Sequence, residues 1–199
     1  MRRSKRFSAA IRGAGVASLF LTAAMLAGAP ARADDTIKRP GDHPSYSVEL
    51  EPHLLLGWGG WGYGGSGYGF GGRFGIPIVS NGFVPTINNS VAISFGMDFV
   101  HYDCWYNGNC ALNRLDFPVT MQWNFYVAHH WSVFGEPGLF IYHGFVGDCP
   151  AGPAFCNRPT ETGISPAFFV GGRYHFSDTA ALTMRIGYPT FAIGFSFFL

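Results

Sequence analysis

The chain has 199 residues, with 13 Lys and Arg against 12 Asp and Glu, and is 48% hydrophobic and 17% aromatic. So apolar a composition excludes a disordered chain, which by definition leaves its surface in water. Six of the 13 basic residues (Arg2, Arg3, Lys5, Arg6, Arg12 and Arg32) precede the first acid, and the seven that remain against all 12 acids leave −5, which excludes the basic face that a nucleic-acid partner needs.

Met1 to Arg12 is basic, Gly13 to Pro30 is an apolar run of Val, Leu, Phe and Ala, and Ala31-Arg32-Ala33 supplies a small-x-small pattern directly before Asp34 and Asp35. That order is the signature of a cleavable export signal over residues 1–33. Residues 34–44 are polar with two prolines and read as a short, flexible lead-in to a domain over 45–199. In that domain every apolar run is broken by a charge, Gly, Asn or Pro within a dozen residues, so no segment has the length of a membrane-spanning helix. Its aromatic and aliphatic residues instead recur with a period of two, which is strand periodicity.

Eight such segments follow in chain order. Tyr46 to Leu56 puts Tyr46, Val48, Leu50, Leu54 and Leu56 opposite Glu49, Glu51 and His53. Gly67 to Val79 separates Tyr68, Phe70, Phe74, Ile76 and Ile78 from Arg73 and glycines, and Ser90 to His101 sets Val91, Ile93, Phe95, Met97 and Phe99 against Ser94, Gly96 and Asp98. Arg114 to Val127 alternates most cleanly, with Leu115, Phe117, Val119, Met121, Trp123, Phe125 and Val127 facing away from Arg114, Asp116, Thr120, Gln122 and Asn124. Trp131 to Phe145 turns Val133, Leu139 and Ile141 away from Glu136, whose face it shares with Phe134, Phe140 and Tyr142. Ile164 to Phe176 sets Phe168, Val170, Tyr174 and Phe176 against Arg173 and His175, Ala180 to Tyr188 sets Leu182, Met184, Ile186 and Tyr188 against Thr183 and Arg185, and Thr190 to Leu199 sets Phe191, Ile193, Phe195, Phe197 and Leu199 against Ala192, Gly194 and Ser196. Pro52, Pro77, Pro118, Pro137 and Pro166 fall inside these segments, where each lacks a ladder donor and calls for a bulge or a shifted strand end.

Charge decides which face meets which medium. Nine of the 19 charged residues after Ala33 lie in these segments (Glu49, Glu51, Arg73, Asp98, Arg114, Asp116, Glu136, Arg173 and Arg185), all opposite the apolar row. A soluble eight-stranded barrel would turn its polar row to water, yet this row is Gly, Ala, Ser and Thr with few Lys or Glu. Lipid outside and a packed polar lumen inside account for both rows, since Arg or Lys facing lipid costs about 2–4 kcal/mol at mid-depth and buried charges of both signs find partners in a lumen. Closure is also the way a strand protein satisfies its backbone in hydrocarbon. The expected fold is therefore an all-β, eight-stranded, antiparallel, up-and-down transmembrane barrel. Its lumen network consists of Glu49, Glu51, Arg73, Asp98, Asp116, Glu136, Arg173 and Arg185, with Arg73 near Glu49 or Glu51, and Arg173 or Arg185 near Glu136 or another acid.

On these residues, from Tyr46 to Leu199, the chain resembles the small eight-stranded outer-membrane β-barrel proteins of Gram-negative bacteria, the class that includes the OmpA transmembrane domain, OmpX and OmpW. The resemblance implies an outer-membrane location in contact with lipid and lipopolysaccharide. It also implies a last strand read by the barrel-assembly machinery; Phe191, Phe195 and Phe197 keep that strand's alternation, although the terminal residue is Leu199. An even strand number places both termini on one side, the periplasm, and sends the connections after strands one, three, five and seven outward.

The first outward connection is Gly-rich and aromatic, with Trp58, Trp61 and Tyr63; its Gly62 to Gly67 string matches G-x-G-x-x-G but has no charge nearby, so it reads as a surface loop. The next two hold Cys104 with Cys110 and Cys149 with Cys156, which in an exported chain point to two disulfides; pairing within each loop and pairing between loops both fit the spacing. His129-His130 occupies a turn, where two adjacent ligands do not make a metal site. His175-Phe176-Ser177 is similar to the His-x-Ser of outer-membrane lipid A deacylases, but no Glu follows Ser177 to orient the His. The expectation is a protein without cofactor, metal site or enzymatic activity, with a structural or surface-binding role. A narrow porin-like channel is the alternative and a lipid A-modifying enzyme the third reading; no surface ligand is legible.

Overall fold

The computed structural model describes residues 35–58, 66–103, 111–146 and 160–199. The export signal, Trp61, Tyr63 and the four cysteines lie outside these residues. Eight strands close into one antiparallel barrel in chain order: β1 (Glu49–Trp58), β2 (Ser66–Val79), β3 (Asn89–Asp103), β4 (Ala111–Ala128), β5 (Trp131–Val146), β6 (Glu161–Ser177), β7 (Ala180–Gly187) and β8 (Thr190–Phe198). The seam between β1 and β8 pairs Leu50 with Phe197 and Leu54 with Ile193. Below it, Val48 and Leu199 exchange N–H to O bonds of 3.0 and 2.8 Å.

Alternation sets the two surfaces. Outward side chains such as Leu54, Phe70, Phe95, Val119, Leu139, Phe168 and Phe195 are exposed, while nine of the strand charges turn inward and are at most 5% exposed, leaving Asp103 and Glu161 exposed at the strand tips. At the loop end this apolar belt stops at polar cross-strand pairs on the outer face, where His101 Nδ1 meets Asn113 Oδ1 at 2.8 Å and His143 Nδ1 meets Thr162 Oγ1 at 2.7 Å.

The five strand prolines sit where a ladder is already broken. The β1–β8 register skips Glu51 and Pro52, the β3–β4 register skips Phe117 and Pro118, the β4–β5 register skips Glu136 and Pro137, and Pro77 borders a bulge. Pro166 lies on the part of β6 that extends beyond β7. Each missing N–H thus weakens one ladder while the other neighbour keeps the strand in place.

Residues expected as a flexible lead-in are instead tied across the end of the barrel that carries the termini. Asp35–Lys38 forms a 3-10 turn, Ile37 O accepts from Asn88 N at 2.8 Å, and Asp42 O accepts from Asn88 Nδ2 at 2.6 Å. His43 stacks on Tyr126 with ring centres 4.6 Å apart and reaches the Ser80 carbonyl at 2.8 Å. The nine-residue connection between β2 and β3 supplies Ser80 and Asn88, and β4 supplies Tyr126, partners that the polarity of the segment gave no means to foresee.

The outward row is testable in a bilayer. Phe95→Arg, in the middle of the belt, is expected to lower the unfolding free energy in phospholipid vesicles by about 2–4 kcal/mol, measured by urea titration. No loss of stability would mean that this face does not meet hydrocarbon.

Candidate functional site: the lumen

The lumen is built in layers from side chains of alternate strand positions. At the terminus end Tyr46, Tyr126, His175 and Phe198 form an aromatic floor, with Tyr46 and Phe198 rings 4.9 Å apart and His175 stacked on Phe198 at 5.5 Å. Burial, with Glu49 close by, pushes the Tyr46 hydroxyl well above its ordinary range, so it stays a neutral cover over the acids behind it.

Above the floor Arg173 of β6 binds Glu49 of β1 at 2.5 Å and Asn124 of β4 at 2.8 Å. Ser196 adds a 2.7 Å bond to the same Glu49 oxygen. In the next layer Arg185 of β7 lies between two carboxylates: its Nη1 and Nη2 reach Glu51 of β1 at 2.6 and 3.0 Å, and its Nε and Nη2 reach Glu136 of β5 at 2.8 and 3.0 Å. Gln122 donates to Glu136 at 2.5 Å. The guanidinium fork fits this arrangement because it offers paired donors on two edges, which an ammonium does not. Phe134 lies between the two arginines, 4.6 Å from the Arg173 guanidinium carbon and 5.3 Å from that of Arg185. Gly171 makes room for the ring, since a Cβ there would strike it.

The third layer joins three adjacent strands. Asp98 of β3 takes Arg73 Nη2 of β2 at 2.7 Å and His53 Nε2 of β1 at 3.0 Å. Toward the loop end Arg114 binds Asp116 two positions along β4 at 2.6 Å and lies over the rings of Phe140 and Tyr142 at 4.9 and 5.3 Å. An apolar cluster of Leu55, Val100, Tyr102, Leu112 and Ala192 lies inside the wall at the same end. Tyr102 lies against Gly57 and Gly67, where a Cβ would meet its ring.

Arg73 therefore differs from expectation. Glu51 stands directly across from it in the β1–β2 register, yet Arg73 turns to Asp98 because Glu51 is held by Arg185. The sequence reading also passed over His53 and Phe134 as members of the network. Their signal was in plain view, since both occupy the inward parity of their strands. Trp58 ends β1 at the loop end and is partly exposed.

His175 and Ser177 do not engage one another. His175 Nε2 bonds with Ser132 Oγ at 2.9 Å, whereas Ser177 Oγ bonds with Thr179 Oγ1 at 3.1 Å. Among the described residues no cluster of three His, Cys, Asp or Glu side chains is placed to hold a metal ion.

No family model matches the chain, and no curated protein matches it. Solved structures do. The outer membrane protein OprG of Pseudomonas aeruginosa superposes with a TM-score of 0.54 at 11% identity, over 80% of this chain and 98% of that one. Ail, the attachment invasion locus protein of Yersinia pestis, solved in complex with the heparin analogue sucrose octasulfate, superposes with a TM-score of 0.50 at 14% identity, over 76% of this chain and 96% of that one. The chain has the fold of the small eight-stranded outer-membrane β-barrels.

Removing one partner of a buried charge cluster leaves the others uncompensated. Arg185→Met, which strands Glu51 and Glu136, is expected to destabilise the barrel by about 3–5 kcal/mol. Adding Glu51→Gln and Glu136→Gln to that variant is expected to restore most of the loss. Urea unfolding in vesicles measures both, and a triple variant no more stable than the single one would refute the charge pairing as the cause.

Proposed function

We propose that the chain is an outer-membrane β-barrel of a Gram-negative bacterium, with both termini in the periplasm and a structural or cell-surface binding role. The observation that carries this reading is the Glu51–Arg185–Glu136 bridge, which ties β1, β7 and β5 together through the middle of the lumen. An eight-stranded barrel has an interior just wide enough for side chains, and here those side chains fill it in layers from the aromatic floor to the apolar cluster at the loop end. Recognition is then left to the connections, which two disulfides among Cys104, Cys110, Cys149 and Cys156 would stiffen. Lipid and lipopolysaccharide surround the belt, and the assembly machinery reads the β8 strand during biogenesis.

The ligand class of Ail does not carry over. The outward connections and strand tips of this chain hold Asp103, Asp148 and Glu161 against Arg158, a balance that repels a polysulfated sugar. A small-solute path is the second reading, favoured by Arg73 Nε and Nη1 and Arg114 Nη2, three buried nitrogens without a protein acceptor among the described residues, where water would bind.

Planar-bilayer recordings separate the two. The purified barrel is expected to give no conductance steps at any applied voltage, and reproducible steps would replace the filled-scaffold reading with the channel. Fractionation tests the location: the protein is expected with the outer membrane, with a gel mobility that changes on boiling.

A further inference from the structure

The 36–46 segment runs between opposite walls at the terminus end of the barrel. Its first turn packs on β4, where Thr36 is buried and Ile37 O accepts the Asn88 N–H at 2.8 Å. Its last residue reaches β8, where the Tyr46 ring lies 4.9 Å from that of Phe198, and the next N–H, of Ser47, donates to Leu199 O at 2.6 Å. In a closed ring of eight strands β4 and β8 stand on opposite sides, so a chain held on both crosses the mouth of the lumen. That is the geometry of a lid.

One side chain fastens this lid in a way that depends on its charge. The His43 ring lies flat on Tyr126, with centres 4.6 Å apart and planes 9° from parallel. Both of its nitrogens meet carbonyl oxygens: Nε2 lies 2.8 Å from Ser80 O, and Nδ1 lies 3.1 Å from Pro44 O. A carbonyl accepts and cannot donate, whereas a neutral imidazole has one N–H and one lone pair. Either neutral tautomer therefore points a lone pair at an oxygen. The imidazolium donates at both positions, and a cation on a phenol ring is also attracted to its face.

The groups around His43 leave room for that charge. Residues 80–88 contain no titratable side chain. On the lid Asp42 pairs with Arg39 at 3.4 Å, and Asp35, Lys38, Arg39 and Asp42 together sum to zero. From the barrel, β4 presents the Tyr126 phenol, bonded to Ser90 Oγ at 3.2 Å, and β6 presents His175, 6.2 Å from the Tyr126 ring. Deeper in the lumen Glu49 is already paired with Arg173.

We propose that residues 36–46 form a lid on the terminus-end mouth, latched by His43 in its charged form, so that the lid is held tighter in acid and looser in base. The sign follows from the bonds, since the charged ring supplies two donors and loses one of them as pH rises through the range in which histidine titrates. The latch rests on the closed barrel and stands whether or not the lumen conducts.

Amide hydrogen exchange of the purified barrel in lipid nanodiscs tests it, read by nuclear magnetic resonance as protection factors so that the intrinsic pH dependence of exchange cancels. The Asn88 N–H, whose acceptor is on the lid, is expected to lose about tenfold in protection between about pH 5 and pH 8, the effect of one hydrogen bond from a charged donor. Amides at the strand centres are expected to keep theirs. His43→Gln, which does not titrate, and His43→Phe, which keeps the stack without donors, are expected to show the lower protection at both pH values, and the boiling shift checks that each variant folds. Equal protection of Asn88 at the two pH values in the unmodified protein would overturn the latch. So would a variant that still gains protection in acid, which would assign the titration to another group. An Asn88 amide without protection at either pH would overturn the lid itself.

Discussion

A strand placed in hydrocarbon must find partners for its backbone on both sides. In this chain that demand is met by closing β8 on β1, and the rest of the architecture follows from the closure. Once eight strands form a ring, every side chain faces either the surrounding medium or a narrow interior. Residue parity along each strand becomes the decision between lipid and lumen. A one-residue slip of any strand would exchange the two rows and carry a buried Arg or Glu into the belt, so the register is strongly specified.

The narrow interior explains why the charges meet as they do. Five carboxylates and four guanidiniums share a space walled by Gly, Ser, Thr and Ala, with aromatic rings among them. The layers do not all balance one to one: Arg173 pairs with Glu49 and Arg114 with Asp116, but Arg185 serves two acids, and Asp98 serves Arg73 together with His53. Rings complete the packing, because a guanidinium that has spent its edges on carboxylates still offers its faces, and Phe134, Phe140 and Tyr142 lie against those faces. The glycines opposite Phe134 and Tyr102 belong to the same design, since an inward ring lies flat on a wall only where the wall has no Cβ. Such bonds link strands that are not neighbours in the sheet, so they resist deformations of the ring that the ladders alone would permit.

Most of the barrel was legible because parity is a local property. The apolar rows of seven strands could be read without knowing any partner, and the inward position of their charges followed from them; in the fifth, Glu136 itself helps to set the parity, and Tyr46, read into the outer row of the first, lies in the aromatic floor. What parity does not contain is distance across the lumen. Arg73 looked destined for Glu49 or Glu51 because adjacent strands were the only neighbours the chain order named, whereas Arg185 reaches Glu51 from two strands away. How each strand absorbs its proline was hidden for a similar reason. Whether a missing N–H interrupts a ladder depends on which side of the strand it faces, and alternation of side chains says nothing about that. The lead-in was hidden altogether, because its attachments through Asn88 and Ser80 are mainly to backbone carbonyls and carry no pattern in the sequence.

The uneven wall bears on how the two ends of the molecule divide their work. At the terminus end the lumen is covered by aromatic side chains, and the 36–44 segment is bonded to the β2–β3 connection. At the loop end β7 and β8 meet through Tyr188 and Pro189 alone, while β3 to β6 rise higher and carry two of the three longer connections. The described wall at that end is therefore high along β3 to β6 and low at the β7–β8 turn. The low arc is where apolar side chains of β6 and the turn, Ile164, Phe168 and Tyr188, are among the most exposed of the molecule, at 64–68%. Exposure of that extent is ordinary in lipid and costly in water, which ties the low arc to the bilayer. The high arc, with Asp103 and Glu161 at its strand tips, is by the same reasoning the part built for the aqueous side.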